Sequence, residues 1–227
     1  MKLKRILCAA LLLALGLTMF GACGNSKKPE NADEPSSLSE YSNPYLDALP
    51  VAGNWGGYEW VVIKKEDTRQ LCITKEIIEV RRFHEAEATV SWAESDLRAY
   101  LNGEFYETVF KADKSKNAVR PLSVNNANKS VNFPNDNAGI GSTATKDSVF
   151  LLSYEEAETC FLSDAARVAA YDGRSQIWWL RSPGDHLNYY ANVDGIGQVC
   201  YSSSNLQAEG FGVRPATWIP RTAEYSK

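Results

Sequence analysis

The chain has 227 residues, with 24 basic and 28 acidic side chains and a net charge of -4 at pH 7. That balance leaves no basic footprint for nucleic acid or for anionic lipid headgroups. Its two histidines, His84 and His186, exclude a three-histidine iron site, and His84-Glu85 lacks the second histidine of a zinc-protease motif.

Lys2, Lys4 and Arg5 precede an apolar run over residues 6–20. As a helix it would span roughly 22 Å, short of the ~30 Å hydrocarbon core, so residues 1–22 are expected to be a signal peptide. Gly21-Ala22-Cys23 closes the run with small residues directly before a cysteine. This resembles the bacterial lipobox, and the resemblance implies cleavage before Cys23 and lipidation of Cys23. Two or more acyl chains, each buried CH₂ contributing about 0.8 kcal/mol, would hold the protein on the extracytoplasmic face of the cell membrane. The chain from Cys23 onward keeps 21 basic against 28 acidic side chains, so any anchoring must come from lipid rather than charge.

Residues 23–49 are rich in Ser, Asn, Pro and charge, and read as a flexible tether. Residues 50–227 are enough for one domain with its own core. Residues 58–63, 70–74 and 77–80 are β-branched or aromatic between polar turns, which predicts an antiparallel meander. Ser91 and Glu94 have capping-box spacing. Leu97, Tyr100, Leu101 and Phe105 follow at helical spacing as a core-facing stripe, with Gly103 permitting a break. Residues 111–148 carry seven asparagines and little periodicity, and read as a long polar surface excursion. Residues 149–152 are a short buried strand. Ser153 and Glu156 form a second capping box, opening a helix that turns Ala157, Cys160 and Phe161 inward.

The C-terminal block is the most patterned part. Residues 177–180, 191–193, 198–201 and 213–219 read as strands. Asp194-Gly195-Ile196-Gly197 is a hairpin-type turn, and Pro215 argues for an edge or a bulge in the last strand. Trp178 and Trp179 alternate faces, so at least one belongs to the core. Arg181 and Arg214 sit inside apolar strands and are expected to be structural, paired with buried carboxylates or carbonyls and stacked on indole. Cys72, Cys160 and Cys200 match no zinc spacing; three small buried hydrophobes and a single disulfide are both open.

Four pieces carry a resemblance: Trp92 with Ser95-Asp96-Leu97-Arg98, then Phe150-Leu151-Leu152-Ser153, then Trp178-Trp179-Leu180-Arg181-Ser182-Pro183-Gly184, then Gly212-Val213-Arg214-Pro215-Ala216. Together they resemble a family of exported bacterial domains of unknown function, over roughly residues 55–219. That family is similar in plan to the C-type lectin-like fold, in the branch of the formylglycine-generating enzymes. The resemblance implies an α+β domain with antiparallel strands, two main helices and long irregular loops; it implies fold far better than activity.

Between the two arginine-bearing strands, Asn, Tyr, Ser, Asp and His fill 12 of the 27 positions 185–211. This composition is similar to that of retroelement-diversified variable regions on lectin-like scaffolds; a polar loop in a monomorphic protein fits the same residues. Such side chains suit recognition, Tyr by rigid amphipathic area and Asn and Ser by adaptable hydrogen bonding. The expected ligand-binding residues are Asp185, His186, Asn188, Tyr189, Tyr190, Asn192, Asp194, Tyr201, Ser202, Ser203, Ser204, Asn205 and Gln207. Asp185, Asn188, Asn192 and Asp194 are oxygen ligands close in sequence, but the lectin calcium triplets are absent, so binding without metal or cofactor is expected. The resulting expectation is a non-enzymatic, lipid-anchored cell-surface module that recognises an extracellular protein or glycan. Alternatives are a thiol–copper oxidase of the formylglycine-generating type using Cys160 and Cys200, and a structural subunit of an envelope complex.

Overall fold

The computed structural model describes residues 42–86, 90–115, 117–128, 143–185, 189–201 and 208–221. The expected signal peptide, Cys23 and the tether up to residue 41 lie outside the described residues. In chain order the first elements are helix α1 (Pro44–Asp47) and strands β1 (Val51–Trp55), β2 (Tyr58–Lys65), β3 (Arg69–Thr74) and β4 (Glu79–Val80). Helix α2 (Asp96–Tyr100) follows, then β5 (Val124–Asn126) and β6 (Thr145–Asp147). Helices α3 (Tyr154–Cys160) and α4 (Asp164–Arg167) precede β7 (Ala170–Tyr171), β8 (Arg174–Ser175) and β9 (Trp178–Pro183). The chain closes with β10 (Tyr190–Val193), β11 (Val199–Cys200), β12 (Gly212–Val213) and β13 (Ala216–Pro220).

The fold mixes short helices with mostly antiparallel sheets. One sheet has the order β1-β2-β3-β13, antiparallel throughout. The second has the order β11-β10-β9-β12-β4, in which only β12 and β9 run parallel. The expected last strand over residues 213–219 is therefore two strands in two sheets. Pro215 marks the crossing: it has no amide to donate, but its carbonyl accepts the Thr74 amide at 3.0 Å. The expected third meander strand is likewise reassigned, because only Glu79 and Val80 pair, and they pair with β12 in the second sheet.

The packed domain begins before residue 50. The Asn43 side chain accepts the Tyr45 amide at 3.1 Å and donates to the carbonyls of Ala165 and Val168 at 2.8 and 2.9 Å. Leu46 is completely buried. One apolar side chain and one capping asparagine hold a segment whose composition alone predicts a tether.

Both expected capping boxes are present. Ser91 and Glu94 close a single 3₁₀ turn, and Ser95 is the residue that caps α2, its hydroxyl accepting the Arg98 amide at 3.1 Å. Beyond α2 the chain continues in wider π-type turns over Leu101–Phe105 and Glu107–Lys111, with non-helical backbone angles at Gly103. Leu97, Leu101 and Phe105 are buried. Within the polar excursion, β5 and β6 pair antiparallel; residues 129–142 lie outside the described residues. The pair ends on Asp147, a fully buried carboxylate. It accepts from Arg98 Nε at 2.7 Å, Trp92 Nε1 at 3.1 Å, Asn126 Nδ2 at 2.9 Å and Thr145 Oγ1 at 2.6 Å. Four donors are what a desolvated carboxylate needs, and two of them are the Trp and Arg of the Trp92–Arg98 motif.

Candidate functional site

The site is built on β9, all six residues of which are buried. Elements cover both of its faces, so Trp178 and Trp179 are both core. Trp178 Nε1 donates to the Arg167 carbonyl at 3.2 Å, and Trp179 Nε1 to the Arg81 carbonyl at 2.9 Å. Phe83, Trp179 and Tyr190 form an aromatic cluster, with ring centroids of Phe83 and Tyr190 4.0 Å apart.

Arg181 ties this strand to α3. Its amide donates to the Leu152 carbonyl at 2.9 Å, and its Nη1 reaches the Leu151 carbonyl at 2.7 Å and Glu156 Oε2 at 2.5 Å. The same carboxylate oxygen accepts the Ser153 amide at 2.8 Å. Burial pushes the Glu156 carboxyl up, but Arg181 and the Ser153 donors outweigh it and hold the group below its ordinary value. Ser182 Oγ accepts the Tyr154 amide at 2.9 Å. Arg214 works at the sheet crossing. Its guanidinium lies 5.0 Å from the Trp178 ring and donates to the carbonyls of Thr74, Arg167 and Lys75 at 2.9, 3.1 and 2.9 Å.

Pro183 and Tyr190 face each other at one end of the β9–β10 pair, and Trp178 and Val193 at the other. At the first end the Gly184 amide donates to the Tyr189 carbonyl at 2.7 Å, closing the base of a first segment of the 185–211 block, which begins at Asp185. The Asp185 amide donates to the Tyr201 carbonyl at 3.1 Å, joining that base to the start of a second segment of the block, which begins at Tyr201. Gly184 is required by proximity: a Cβ there would overlap the Tyr201 carbonyl. The Tyr201 ring packs edge-on against Tyr154, centroids 5.9 Å apart.

From Ala208 onward the chain lies at the other end of β9. Gln176 Nε2 donates to the Gly210 carbonyl, and the Gly212 amide to the Ile177 carbonyl at 2.7 Å, beside the Trp178 end of β9. Arg82 pairs with Glu209 there. An open cleft of about 320 Å³ lies at this return, lined by Glu79, Val80, Arg81, Arg82, Glu85, Glu209 and Gly210.

Those of the expected ligand-binding residues that are described separate into three groups. Asp185, Tyr189 and Tyr201 come together at the joined loop bases, each part-exposed. Tyr190 and Asn192 are corrected to scaffold: both are buried, because they sit on a strand covered on both faces, and Tyr190 donates its hydroxyl to the Val90 carbonyl at 3.1 Å. Asp194 lies at the opposite end of β10 and organises its own turn, Oδ1 accepting the amides of Ile196 at 3.0 Å and Gln198 at 2.8 Å. Asp185, Asn192 and Asp194 therefore do not converge on one ion. His186, Asn188, Ser202, Ser203, Ser204, Asn205 and Gln207 lie outside the described residues. Tyr154 and Gly184 shape the base without having been expected as site residues; the one sequence signal for either was the place of Gly184 at the end of the Trp178–Gly184 motif.

Cys72 and Cys160 are free thiols, so Cys200 is bonded to neither. Burial pushes the Cys72 thiol up to about 12, and burial is also the main cause raising Cys160. Among the described residues no group of three or more His, Cys, Asp or Glu is placed to hold a metal ion, and no helix is long and apolar enough to cross a membrane.

No curated protein and no solved structure matches the chain. A family described as a domain of unknown function, DUF6273, matches residues 68–221, from the start of β3 to just past β13. That stretch holds the buried Asp147 hub, the Arg181–Glu156 tie and the Arg214 crossing, and it covers more than half of the chain: the protein belongs to the DUF6273 family.

Proposed function

We propose that this protein is a lipid-anchored, non-enzymatic recognition module on the extracytoplasmic face of the membrane, with a C-type lectin-like arrangement of its strands. Its ligand is an extracellular protein or glycan, met by the polar and aromatic side chains of residues 185–189 and 201–207. The observation that carries this reading is the joined loop base. Main-chain bonds Gly184–Tyr189 and Asp185–Tyr201 fix the roots of two Asn-, Tyr- and Ser-rich segments on a strand with no exposed residue. Recognition surfaces gain affinity when the scaffold beneath them is rigid, because less conformational entropy is lost on binding. The side chains at the roots, Asp185, Tyr189 and Tyr201, are part-exposed, while the Trp and Arg residues of the same block are used up in packing.

The test is a binding screen of the full chain against arrays of glycans and of extracellular proteins, repeated with Tyr189→Ala. Binding that weakens at least tenfold in the variant supports the reading. Binding that is unchanged places recognition elsewhere on the molecule.

A further inference from the structure

The β1–β2 hairpin stands at one edge of the first sheet and turns at Gly56 and Gly57. The turn is seated on the Glu107–Lys111 stretch, so closely that a Cβ at Gly56 would overlap Val109. Beside this contact lies a hollow of about 80 Å³, to which Asn54, Trp55, Val109, Phe110, Asp113 and Val119 contribute. None of them belongs to the recognition segments. Val109 and Phe110 are buried and give the hollow an apolar base. The other five tryptophans of the chain are buried, whereas Trp55 is part-exposed. Its ring meets that of Phe110 at an angled corner, centroids 6.0 Å apart and planes tilted by 52°. Other rings of this protein carry a cation from the chain itself: Arg81 lies 3.9 Å from Tyr100, Arg69 4.2 Å from Trp218 and Lys111 5.5 Å from Tyr106. Among the described residues no cation lies over Trp55.

Asp113 adds the charge. Its Oδ1 accepts the Ser115 amide at 2.8 Å, and that bond holds the carboxyl below its ordinary value, so it is ionised at neutral pH. Among the described residues it forms no ion pair. The cations nearest in sequence are engaged elsewhere. Arg120 donates to the carbonyls of Phe110, Val119 and Asp113 at 2.8, 3.1 and 2.9 Å, Lys111 pairs with Glu107 at 2.5 Å, and Lys114 donates to the Lys111 carbonyl at 2.6 Å. We infer that this hollow binds the methylated ammonium head of a small organic cation, at a site separate from the recognition segments. An indole with no cation of its own beside an unpaired carboxylate attracts a positive charge. The hydrocarbon of Val109, Val119 and Phe110 suits N-methyl groups, and a single carboxylate is too few oxygens for a hard metal ion. The hollow is far smaller than the ~300–1,000 Å³ pockets that enclose a drug-sized ligand, so it receives a compact head group rather than a whole sugar ring.

The test titrates the ¹⁵N-labelled full chain at constant ionic strength and follows the indole N–H peak of Trp55, assigned by its loss in Trp55→Phe. The probes are choline, phosphocholine, glucose and 3,3-dimethylbutanol, the neutral isostere of choline. The expected result is a saturable shift with choline, at least fivefold weaker affinity for 3,3-dimethylbutanol, and at least fivefold weaker choline binding in Asp113→Asn. Dispersion of the other indole peaks shows that the variants are folded. Choline binding at least as tightly as phosphocholine supports a free ammonium solute, and phosphocholine binding more tightly supports a phosphocholine headgroup; both uphold a cation site. No shift with choline overturns the inference. So does equal affinity for choline and 3,3-dimethylbutanol, which means a merely apolar hollow, a shift with glucose alone, which means a sugar site, or choline binding unchanged in Asp113→Asn.

Discussion

Arg181 Nη1 lies 2.5 Å from Glu156 Oε2, and the oxygen it meets also closes the capping box of α3 by accepting the Ser153 amide. One carboxylate thus joins the Phe150–Ser153 motif to the Trp178–Gly184 motif. The first of the two loop roots, at Gly184, lies three residues after this arginine.

Removing the carboxylate leaves a nearly buried guanidinium unpaired. Glu156→Ala is expected to lower stability by about 2–3 kcal/mol, which for a domain of this size is a fall in Tm on the order of 5–10 °C. Arg181→Lys does not rescue the pair, because Nη1 serves both the Leu151 carbonyl and Glu156 and the lysine nitrogen, one bond shorter in reach, falls short of that position. Urea unfolding of both variants checks this; a midpoint shift under 0.5 kcal/mol contradicts it.

The pair also has a pH signature. Glu156 is held below its ordinary value of 4.5 in the folded chain. A carboxyl depressed by folding contributes fully above its unfolded value and loses that contribution as pH falls through its folded value. The stability gap between the wild type and Glu156→Gln is therefore constant from pH 7 to about 5 and narrows below pH 4.5. A gap that widens on acidification rules the assignment out.

Asp147 is fully buried under four donors. Asp147→Ala strands the Arg98 guanidinium and is expected to cost about 3–5 kcal/mol. Because Trp92 Nε1 loses its acceptor, the near-ultraviolet circular dichroism should change together with the denaturant midpoint. A change in one without the other argues that the indole is not held through this carboxylate.

Two glycines with positive φ separate backbone strain from crowding. Gly57, at φ 84°, has open space where a Cβ would go, whereas at Gly197, φ 87°, a Cβ meets the Asp164 carbonyl. Gly57→Ala is expected to cost about 1 kcal/mol and Gly197→Ala roughly 3 kcal/mol. Equal losses would mean the β10–β11 turn is not pressed against α4.

Cys72 and Cys160 should react differently. Native protein treated with iodoacetamide at pH 8 is expected to be alkylated at part-exposed Cys160 and spared at buried Cys72, with both modified in urea. Peptide mass spectrometry reads the outcome. Alkylation of Cys72 in the native state would show that the β3 core opens.

Local chemistry made much of this fold legible. The two capping boxes, the Asp194–Gly197 turn and the apolar stripe through Leu97, Leu101 and Phe105 depend on residues a few positions apart, and each is present. Sheet membership was not legible. Val213 and Ala216 are close in sequence and both apolar, yet the bend at Arg214-Pro215 sends them to different sheets, and nothing local specifies the partners Glu79 and Ile73. The inclusion of α1 was hidden for a similar reason, since Asn43 finds its partners at Ala165 and Val168. For the candidate site, composition singled out a polar-aromatic block, but only pairing separates Tyr189, at a loop root, from Tyr190, which is buried against Phe83. Alternation on a strand with two covered faces carries no signal for exposure.

The central claim is that recognition belongs to the segments rooted at Gly184 and Tyr201, while the tryptophans and arginines of the same block only hold them. It is tested most directly by replacing Tyr189 with Ala and residues 202–207 with a Gly-Ser run in one full-length variant, then measuring its Tm and its binding to whichever arrayed glycan or protein the wild type retains. The account predicts binding lost by at least a hundredfold with Tm within about 3 °C of the wild type, since Tyr189 is part-exposed and the buried β9 frame is left unchanged. Binding retained in that variant would contradict it.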